Sequence, residues 1–456
     1  MTRLLVAVHR WLGIFLCLFF AMWFASGMVM MYVPFPSLSE LERLSYLDPV
    51  DTTQIRIEPR ETVSNCPSDY LSGLRLISID SRPAFVCHYD SAPVTAVFAD
   101  DGSEVSSLAL ASDNIHGPFF YDQWVVHQRF DPYRPFYRYD LGDSAGTQLY
   151  LSSLTGEVLQ RTTTRQRTWN YLGAVIHWIY PTFLRKDWAL WDQTVWWLSL
   201  AGIIGVLIGL YLGVSAFARL RRTGSRGISQ YRAWLRWHHI LGLFTGIVVL
   251  SWIFSGWLSM DHGRLFSVPD PTSDQVVALR GKSVREIASE TSIADLIRPA
   301  SAVEISFHAV AGNKILLSKT KNDDSSVASV TELELREAIA LAWPGTEIAN
   351  IYFVPEQDIY TNLREGNLPS GTYRIVLSDT SDTWIHVNSQ NGEIVSVIDR
   401  SRRVYRWLYN GLHSLDFPGF VNQRPLWIST MTLLLLCGLA FSVTGIALAI
   451  KHLRRI

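Results

Sequence analysis

Charge is what this sequence most lacks. Asp, Glu, Lys and Arg make up 18% of its 456 residues, below the roughly one quarter usual for a soluble globular chain. The signs almost cancel, with 40 basic against 41 acidic residues. No long-range field exists to hold a polyanion, so nucleic-acid binding is excluded as a main role. Cysteine is scarce as well, with four residues in all, whereas Trp is abundant at 17.

The charge that is present avoids four stretches: Trp11 to Ser39, Gln193 to Ala218, Trp237 to Met260 and Pro425 to Ile450. Each exceeds the roughly 20 residues that a helix needs to cross a hydrocarbon core of about 30 Å. Four membrane spans are therefore expected. The first is read as a retained helix and not as a cleaved leader, because it continues through Trp23, Phe24, Met28 and Met31 without a short apolar core and a small-residue cleavage site.

Orientation follows from the short connections. Arg219, Arg221, Arg222, Arg226, Arg232 and Arg236 crowd the segment between the second and third stretches, which holds no acid, and Lys451, Arg454 and Arg455 close the chain. Positive segments face the cytoplasm, which puts both termini inside and two large segments outside. The predicted organisation is a membrane helix in 1–33, an outer domain in 34–168, an interfacial segment and helix in 169–218, and a basic loop in 219–236. A third helix in 237–260, a second outer domain in 261–404, an interfacial segment and helix in 405–450, and a tail in 451–456 complete it. Cys66 and Cys87 fall outside, where a disulfide is the expectation. Cys17 and Cys437 fall in spans and read as packing residues.

The chain also repeats itself. Shifted by 229 positions, Arg3, His9, Leu12, Gly13, Phe15, Trp23, Ser26, Gly27 and Met31 coincide with Arg232, His238, Leu241, Gly242, Phe244, Trp252, Ser255, Gly256 and Met260. Shifted by 236, Arg167, Leu172, His177, Trp191, Thr194, Gly202 and Gly209 coincide with Arg403, Leu408, His413, Trp427, Thr430, Gly438 and Gly445, and Gly156-Glu157 with Gly392-Glu393. Shared His, Trp and Arg in ungapped register point to a tandem duplication. Because each copy holds two spans, both have one orientation, with a pseudo-two-fold axis along the membrane normal. Residues paired by the repeat then share one depth.

Each outer segment reads as a small α+β unit. In the second, Thr331 to Trp343 has helical periodicity, and strand-like runs at Gly371 to Leu377, Thr383 to Asn388 and Glu393 to Ile398 flank the turn Gln390-Asn391-Gly392. The first ends likewise, with Thr147 to Ser152, a turn at Gly156, and Glu157 to Gln160. A Gly-Glu turn between strands, placed just outside a span, in a chain that begins with His9-Arg10-Trp11-Leu12-Gly13, resembles the PepSY-associated transmembrane proteins of bacterial inner membranes. The segments around His177 and His413 strengthen the likeness, which covers nearly the whole chain. It implies a four-helix membrane bundle with two periplasmic α+β domains. Some members of that family resemble siderophore-iron reductases carrying b-type haem, and the resemblance implies the same here.

Of twelve histidines, four are paired by the repeat: His9 with His238 and His177 with His413. Polar groups inside a membrane protein are costly, and His is a common haem ligand. His9 and His238 each lie six residues beyond a basic anchor, about 9 Å along a helix, near the cytoplasmic face. His177 and His413 lie on the apolar segments Trp169 to Phe183 and Tyr405 to Phe420, near the outer face. Two axial ligands must approach one iron from opposite sides of one macrocycle, so ligands at equal depth pair. The expectation is two haem b groups, one held by His9 and His238 and one by His177 and His413. No Cys-x-x-Cys-His is present, so covalent attachment is excluded.

Other candidates are weaker. His239 aligns with Arg10 and is expected to face a propionate or lipid headgroup. Met31 and Met260 are expected to pack, and His452 to snorkel from the tail. His88, His116, His127, His262, His308 and His386 are unpaired by the repeat. Arg129, Arg134 and Arg138 could offer an anionic substrate a landing site.

Two haems stacked across a bilayer make a wire. The expected activity is outward electron transfer that reduces a ferric siderophore to Fe(II), whose hard oxygen ligands then lose much of their hold. The short cytoplasmic segments carry no flavin or nicotinamide fingerprint, so the donor is a cytoplasmic protein, a diffusible reductant or the quinone pool. The alternative is a non-enzymatic periplasmic module that binds peptides or regulates a protease, its helices serving as anchors. A metal permease is disfavoured because no charge-free run contains an acid.

Overall fold

The computed structural model describes residues 2–66, 71–106, 113–268, 270–297, 301–322, 329–355, 358–360, 362–363 and 366–455. The chain divides into two units. One comprises Met1–Phe35, Arg165–Ser267 and Ser401–Ile456; the other comprises Pro36–Thr164 and Val268–Arg400.

The first unit is built on four long apolar helices: α1 (Thr2–Met30), α2 (Trp188–Arg222), α3 (Ala233–Leu258) and α4 (Arg424–Leu453). Each is long and apolar enough to cross a membrane. Their ends differ from the charge-free runs for local reasons. Helix α1 begins near the terminus and carries Arg3 and Arg10 within it, and it stops at Met30, ahead of Pro34 and Pro36. Helix α2 is capped by Asp187, whose carboxylate accepts from the Leu190 amide at 3.0 Å. It also contains Asp192, buried one residue before the start of the predicted run, so the expectation of spans without an acid holds for the runs but not for the helices. Helix α1 packs on α2 and α4, and α3 packs on the same two. Helices α1 and α3 thus lie diagonally across a four-helix bundle.

Among the described residues the second unit holds three antiparallel sheets of four or five strands and a two-stranded antiparallel ribbon, Asn362–Leu363 with Gly366–Asn367. Strands β1 (Leu71–Ile79), β2 (Arg82–Tyr89) and β3 (Thr95–Phe98) come from the first outer segment, as do β4 (Ile115–Phe119), β5 (Phe136–Asp140), β6 (Gln148–Ser152) and β7 (Val158–Thr162). The second segment supplies β8 (Ala302–Val310), β9 (Asn313–Thr320), β10 (Ile348–Phe353), β11 (Thr372–Leu377), β12 (Trp384–Asn388) and β13 (Ile394–Ile398). Sheets β4-β5-β6-β7 and β10-β11-β12-β13 each belong to one segment, but the five-stranded sheet runs β3-β2-β1-β8-β9.

This differs from the expectation of two separate outer domains. Strand β1 pairs with β8, with Ile77 opposite Glu304 and Arg75 opposite Ser306. The core beneath mixes Leu74, Leu76 and Phe85 with Ile287, Ile305 and Phe307. The physical reason is visible in the charges. Glu304, buried in β8, takes ion pairs from Arg75 at 2.7 Å and Arg43 at 2.8 Å, and Glu157 is held by the same two arginines at 3.0 and 3.3 Å. Glu304 of the second segment thus joins Arg43, Arg75 and Glu157 of the first in one cluster, with Lys319 at 3.8 Å from Glu304, and removing a member leaves its partners undercompensated. The expected helix appears as Glu332–Ala342, with a capping box between Thr331 and Glu334. The strands expected on either side of the Gly156 and Gly392 turns also form. Gly392 has φ +73°, and a Cβ there would meet Val310 Cγ2 at 1.8 Å, so only glycine fits. Cys66 and Cys87 form a disulfide, and Cys17 and Cys437 are free.

Burial alone would raise the Glu157 carboxyl, but the Arg75 charge and hydrogen bond, with Arg43, outweigh it and hold it down at about 2. Burial, then the Arg75 charge, pushes His88 down to about 4. Both groups have folded values below their unfolded ones, roughly 4.3 for Glu and 6.5 for His, so their stabilisation is complete above those values and is lost as pH falls. Thermal stability of the second unit should therefore decline from about pH 6.5, where His88 of the unfolded chain takes up a proton that the folded one does not, and more steeply below about pH 4.5 as Glu157 follows. Glu304→Ala should cost about 3–5 kcal/mol by leaving Arg43 and Arg75 undercompensated, read as a loss of midpoint in chemical unfolding at pH 7.

Candidate functional site

Each apolar approach segment carries the same local distortion. The helix Thr164–Asn170 runs into a π-helical turn at Tyr171–Val175, and the helix Arg400–Arg406 runs into one at Trp407–Gly411. Such turns re-aim the residues that follow. His177 and His413 each come two residues after the distorted turn, and two residues later Ile179 and Leu415 both adopt φ +50°. A β-branched or bulky residue with positive φ is strained, so both segments end abruptly at the same point. Trp191 and Trp427, at the starts of α2 and α4, fasten these ends by donating to the carbonyls of Trp178 at 3.0 Å and Ser414 at 2.9 Å.

The result brings together the four histidines in the pairs expected. The His177 and His413 ring centroids lie 6.2 Å apart with planes at 76°, and those of His9 and His238 lie 6.4 Å apart at 46°. Two imidazoles on opposite sides of one metal ion, with metal–nitrogen bonds of about 2.0 Å and about 1.1 Å from each nitrogen to its ring centre, have centroids about 6.2 Å apart. Both pairs match that spacing.

The hydrogen bonds decide which nitrogen is free. His177 Nδ1 lies 3.0 Å from Ser26 Oγ, whose own proton goes to the Met22 carbonyl at 2.7 Å. His413 Nδ1 lies 3.0 Å from Ser255 Oγ, which donates to the Trp252 carbonyl. His238 Nδ1 lies 2.9 Å from Thr444 Oγ1, which donates to the Phe441 carbonyl at 2.6 Å. His9 Nδ1 faces the Gly205 carbonyl at 2.9 Å. The Gly205 carbonyl can only accept, and each hydroxyl has a carbonyl of its own helix to donate to, so a proton on Nδ1 satisfies all four contacts and leaves each Nε2 its lone pair. This is the tautomer of a metal-ligating imidazole oriented by its surroundings.

Small residues make room for the rings. A Cβ at Gly209 would lie 2.5 Å from His9 Cε1; those at Gly27, Gly256 and Gly445 would lie 3.5, 3.6 and 3.8 Å from Cε1 of His177, His413 and His238. Among the described residues, no cluster of three or more His, Cys, Asp or Glu side chains forms a metal site. A structural zinc ion usually takes four protein ligands. Two imidazoles alone suit an ion that brings its own equatorial donors, as a macrocycle does.

The pairs are well separated. Ser26 lies seventeen residues after His9 on α1, and Ser255 seventeen after His238 on α3, a helical rise of about 25 Å. Between them, Phe24, Val249, Leu435 and neighbouring apolar residues fill the bundle.

The chain matches the family described as PepSY-associated TM region over residues 6–453. It belongs to that family, and with its four apolar helices it is a membrane protein. No curated protein matches it.

The remaining candidates of the sequence find other roles. His239 is engaged at both nitrogens, by Ser229 Oγ and the Gly213 carbonyl, each at 2.9 Å, so His238 and not His239 is the residue free to ligate. Met31 packs against the bundle core. Arg134 is committed to Asp131, the Phe120 and His127 carbonyls and the Tyr121 ring, and Arg138 faces Asp122, so these two do not form an open landing site. His88 and His386 accept from Arg75 and Arg374 at 2.9 Å. The residues that sequence reasoning missed are the acceptors. Ser26 and Ser255 were paired by the repeat without a role, whereas Gly205 and Thr444 carry no such signal.

Close packing at these glycines gives a graded expectation. Gly209→Ala should destabilise the protein by about 1–3 kcal/mol through overpacking against His9. Gly13→Ala, with nothing within 4 Å of the added carbon, should be neutral or stabilising by up to about 1 kcal/mol. Thermal unfolding in detergent measures both.

Proposed function

We propose that this chain is a di-haem electron carrier of the bacterial inner membrane that reduces ferric siderophores to release Fe(II) in the periplasm. His9 and His238 would hold one haem b toward the cytoplasm, and His177 and His413 would hold the other toward the periplasm. The observation that carries the reading is the pair of imidazole couples, each at metal-sharing distance with its Nδ1 proton committed and its Nε2 free. Recurrence of one arrangement in both halves, down to the π-turns and the Trp191 and Trp427 bonds, supports a tandem duplication. The arginine-rich 219–236 connection supports cytoplasmic termini and a periplasmic second unit.

Bound haem supplies one-electron cycling between Fe(III) and Fe(II). The chain's residues do the rest. Ser26, Ser255, Thr444 and the Gly205 carbonyl fix the tautomer and raise the basicity of the ligating nitrogens. Phe441, stacked on His238 with centroids 4.7 Å apart, and Tyr409, stacked on His413 at 5.5 Å, shield the imidazoles. The substrate is iron held by hard oxygen donors; one electron lowers its charge, weakens the chelate and leaves the organic ligand intact. The donor is a cytoplasmic protein, a diffusible reductant or a membrane quinol.

Purified protein should show a haem b spectrum that dithionite reduces and ferric siderophores reoxidise anaerobically, with a ferrous trap collecting the product. His177→Ala or His413→Ala should remove one haem per protein and spare the other, by pyridine haemochrome; His9→Ala or His238→Ala should remove the other. Loss of the same haem from His9→Ala and His177→Ala would break the pairing. Reoxidation by quinone but by no ferric chelate makes it a quinone-linked oxidoreductase. Protein without haem hands the case to the peptide-binding or protease-regulating module.

A further inference from the structure

The space between the two histidine pairs is not filled at random. Helices α1 and α3 stand diagonally in the bundle, yet Phe24 of α1 and Trp252 of α3 meet across it with ring centroids 5.7 Å apart. Phe24 is buried, and its seat on α4 is Gly438, where a Cβ would lie 2.4 Å from the ring. The contact therefore depends on a residue without a side chain. The repeat equivalent of Trp252 is Trp23, and it behaves differently: its indole N–H donates to the His177 carbonyl at 3.0 Å. One of two duplicated tryptophans has been turned to the axis.

Trp252 is joined to both ends of the bundle. Toward one end, its carbonyl accepts from Ser255 Oγ at 3.1 Å, and Ser255 Oγ accepts from His413 Nδ1 at 3.0 Å. Toward the other, Trp252 packs in one cluster with Phe441, whose ring stacks on His238 with planes at 18°. An aromatic cluster thus lies between the pairs, with Phe441 stacked on His238 at one end and Trp252, in ring contact with Phe24, three residues from the Ser255 that meets His413 at the other. Aliphatic packing would fill the same volume without it.

We propose that Trp252, seated against Phe24, is the bridge along which electrons cross between the two histidine pairs. The inference rests on the reading of both pairs as haem ligands. With haem held at both pairs, one electron would pass from one end to the other, oxidising one ferrous iron and reducing one ferric iron. The indole lends its orbitals and ends unchanged, and no bond forms or breaks. Indole serves this better than an aliphatic side chain because its π electrons are more weakly held and more polarisable. Trp252 is here a positioning residue for electron flow, not a ligand.

The test uses the full-length haem-loaded protein in detergent, with Trp252→Leu, Trp252→Phe and Phe24→Leu. Haem per protein and the two midpoint potentials, from pyridine haemochrome and spectroelectrochemical titration, should match the parent protein, because no ligand or its hydrogen-bond partner is altered. A laser-triggered photoreductant then injects one electron per molecule, and the difference spectra follow its redistribution between the haems. Trp252→Leu should slow redistribution by an order of magnitude or more, Trp252→Phe should fall between, and Phe24→Leu should slow it less. An unchanged rate in Trp252→Leu at full haem content overturns the proposal. If Trp252→Leu does not fold, an unchanged rate in Trp252→Phe overturns it. A parent protein without two haems instead removes the underlying reading.

Discussion

Each of the four paired imidazoles places Nδ1 within 2.9–3.0 Å of an oxygen on another helix, and much of the membrane unit is arranged around those four bonds. Ser26 and Ser255 can accept only because their own protons go to carbonyls within their helices, and Thr444 does the same. A hydroxyl that bonds back to its helix is ordinarily a small local perturbation. Here it converts an ambivalent group into a fixed acceptor. That decision passes to the imidazole and leaves Nε2 with its lone pair. The π-turns, the left-handed residues at Ile179 and Leu415 and the close glycines all serve to bring the rings to that position.

Buried polarity is handled in two ways, and full charges are paired in both units, since Arg406 meets Asp416 at 3.2 Å in the membrane unit. In the membrane unit, neutral histidines are satisfied by neutral acceptors, which suits a medium where unpaired charge is costly. In the other unit, full charges are buried and compensated: Glu157 and Glu304 share Arg43 and Arg75, while Asp358 holds Arg374. Such clusters add little net stability over apolar packing, but breaking one is expensive. Their effect is to require both outer segments at once, since Arg43, Arg75 and Glu157 come from the first and Glu304 from the second.

Much of the membrane architecture was legible in the sequence, because runs without charge and residues repeated in register are both direct consequences of the physics that selects them. The pairing of His9 with His238 and of His177 with His413 followed from the repeat register and the equal depth it implies. The acceptors were partly legible. Ser26 and Ser255 obey the same register as their histidines, whereas Gly205 and Thr444 do not: the Gly205 position corresponds to Phe441 under the 236 shift, so the two halves reach one end by different chemistry. The shared sheet was not legible, since pairing of β1 with β8 depends on complementarity between segments more than two hundred residues apart. Asp192 escaped because a run defined by the absence of charge must end where the charge begins.

The central claim is that two imidazole pairs each hold one six-coordinate haem iron. Low-temperature electron paramagnetic resonance of the oxidised protein tests it most directly, because the low-spin ferric signal depends on the angle between axial ring planes. Planes at 76° for His177 and His413 and at 46° for His9 and His238 should give two low-spin signals. The former should be the more strongly anisotropic and should vanish in His413→Ala. A spectrum with only high-spin iron, a single low-spin species at full haem content, or no ferric signal would contradict the account.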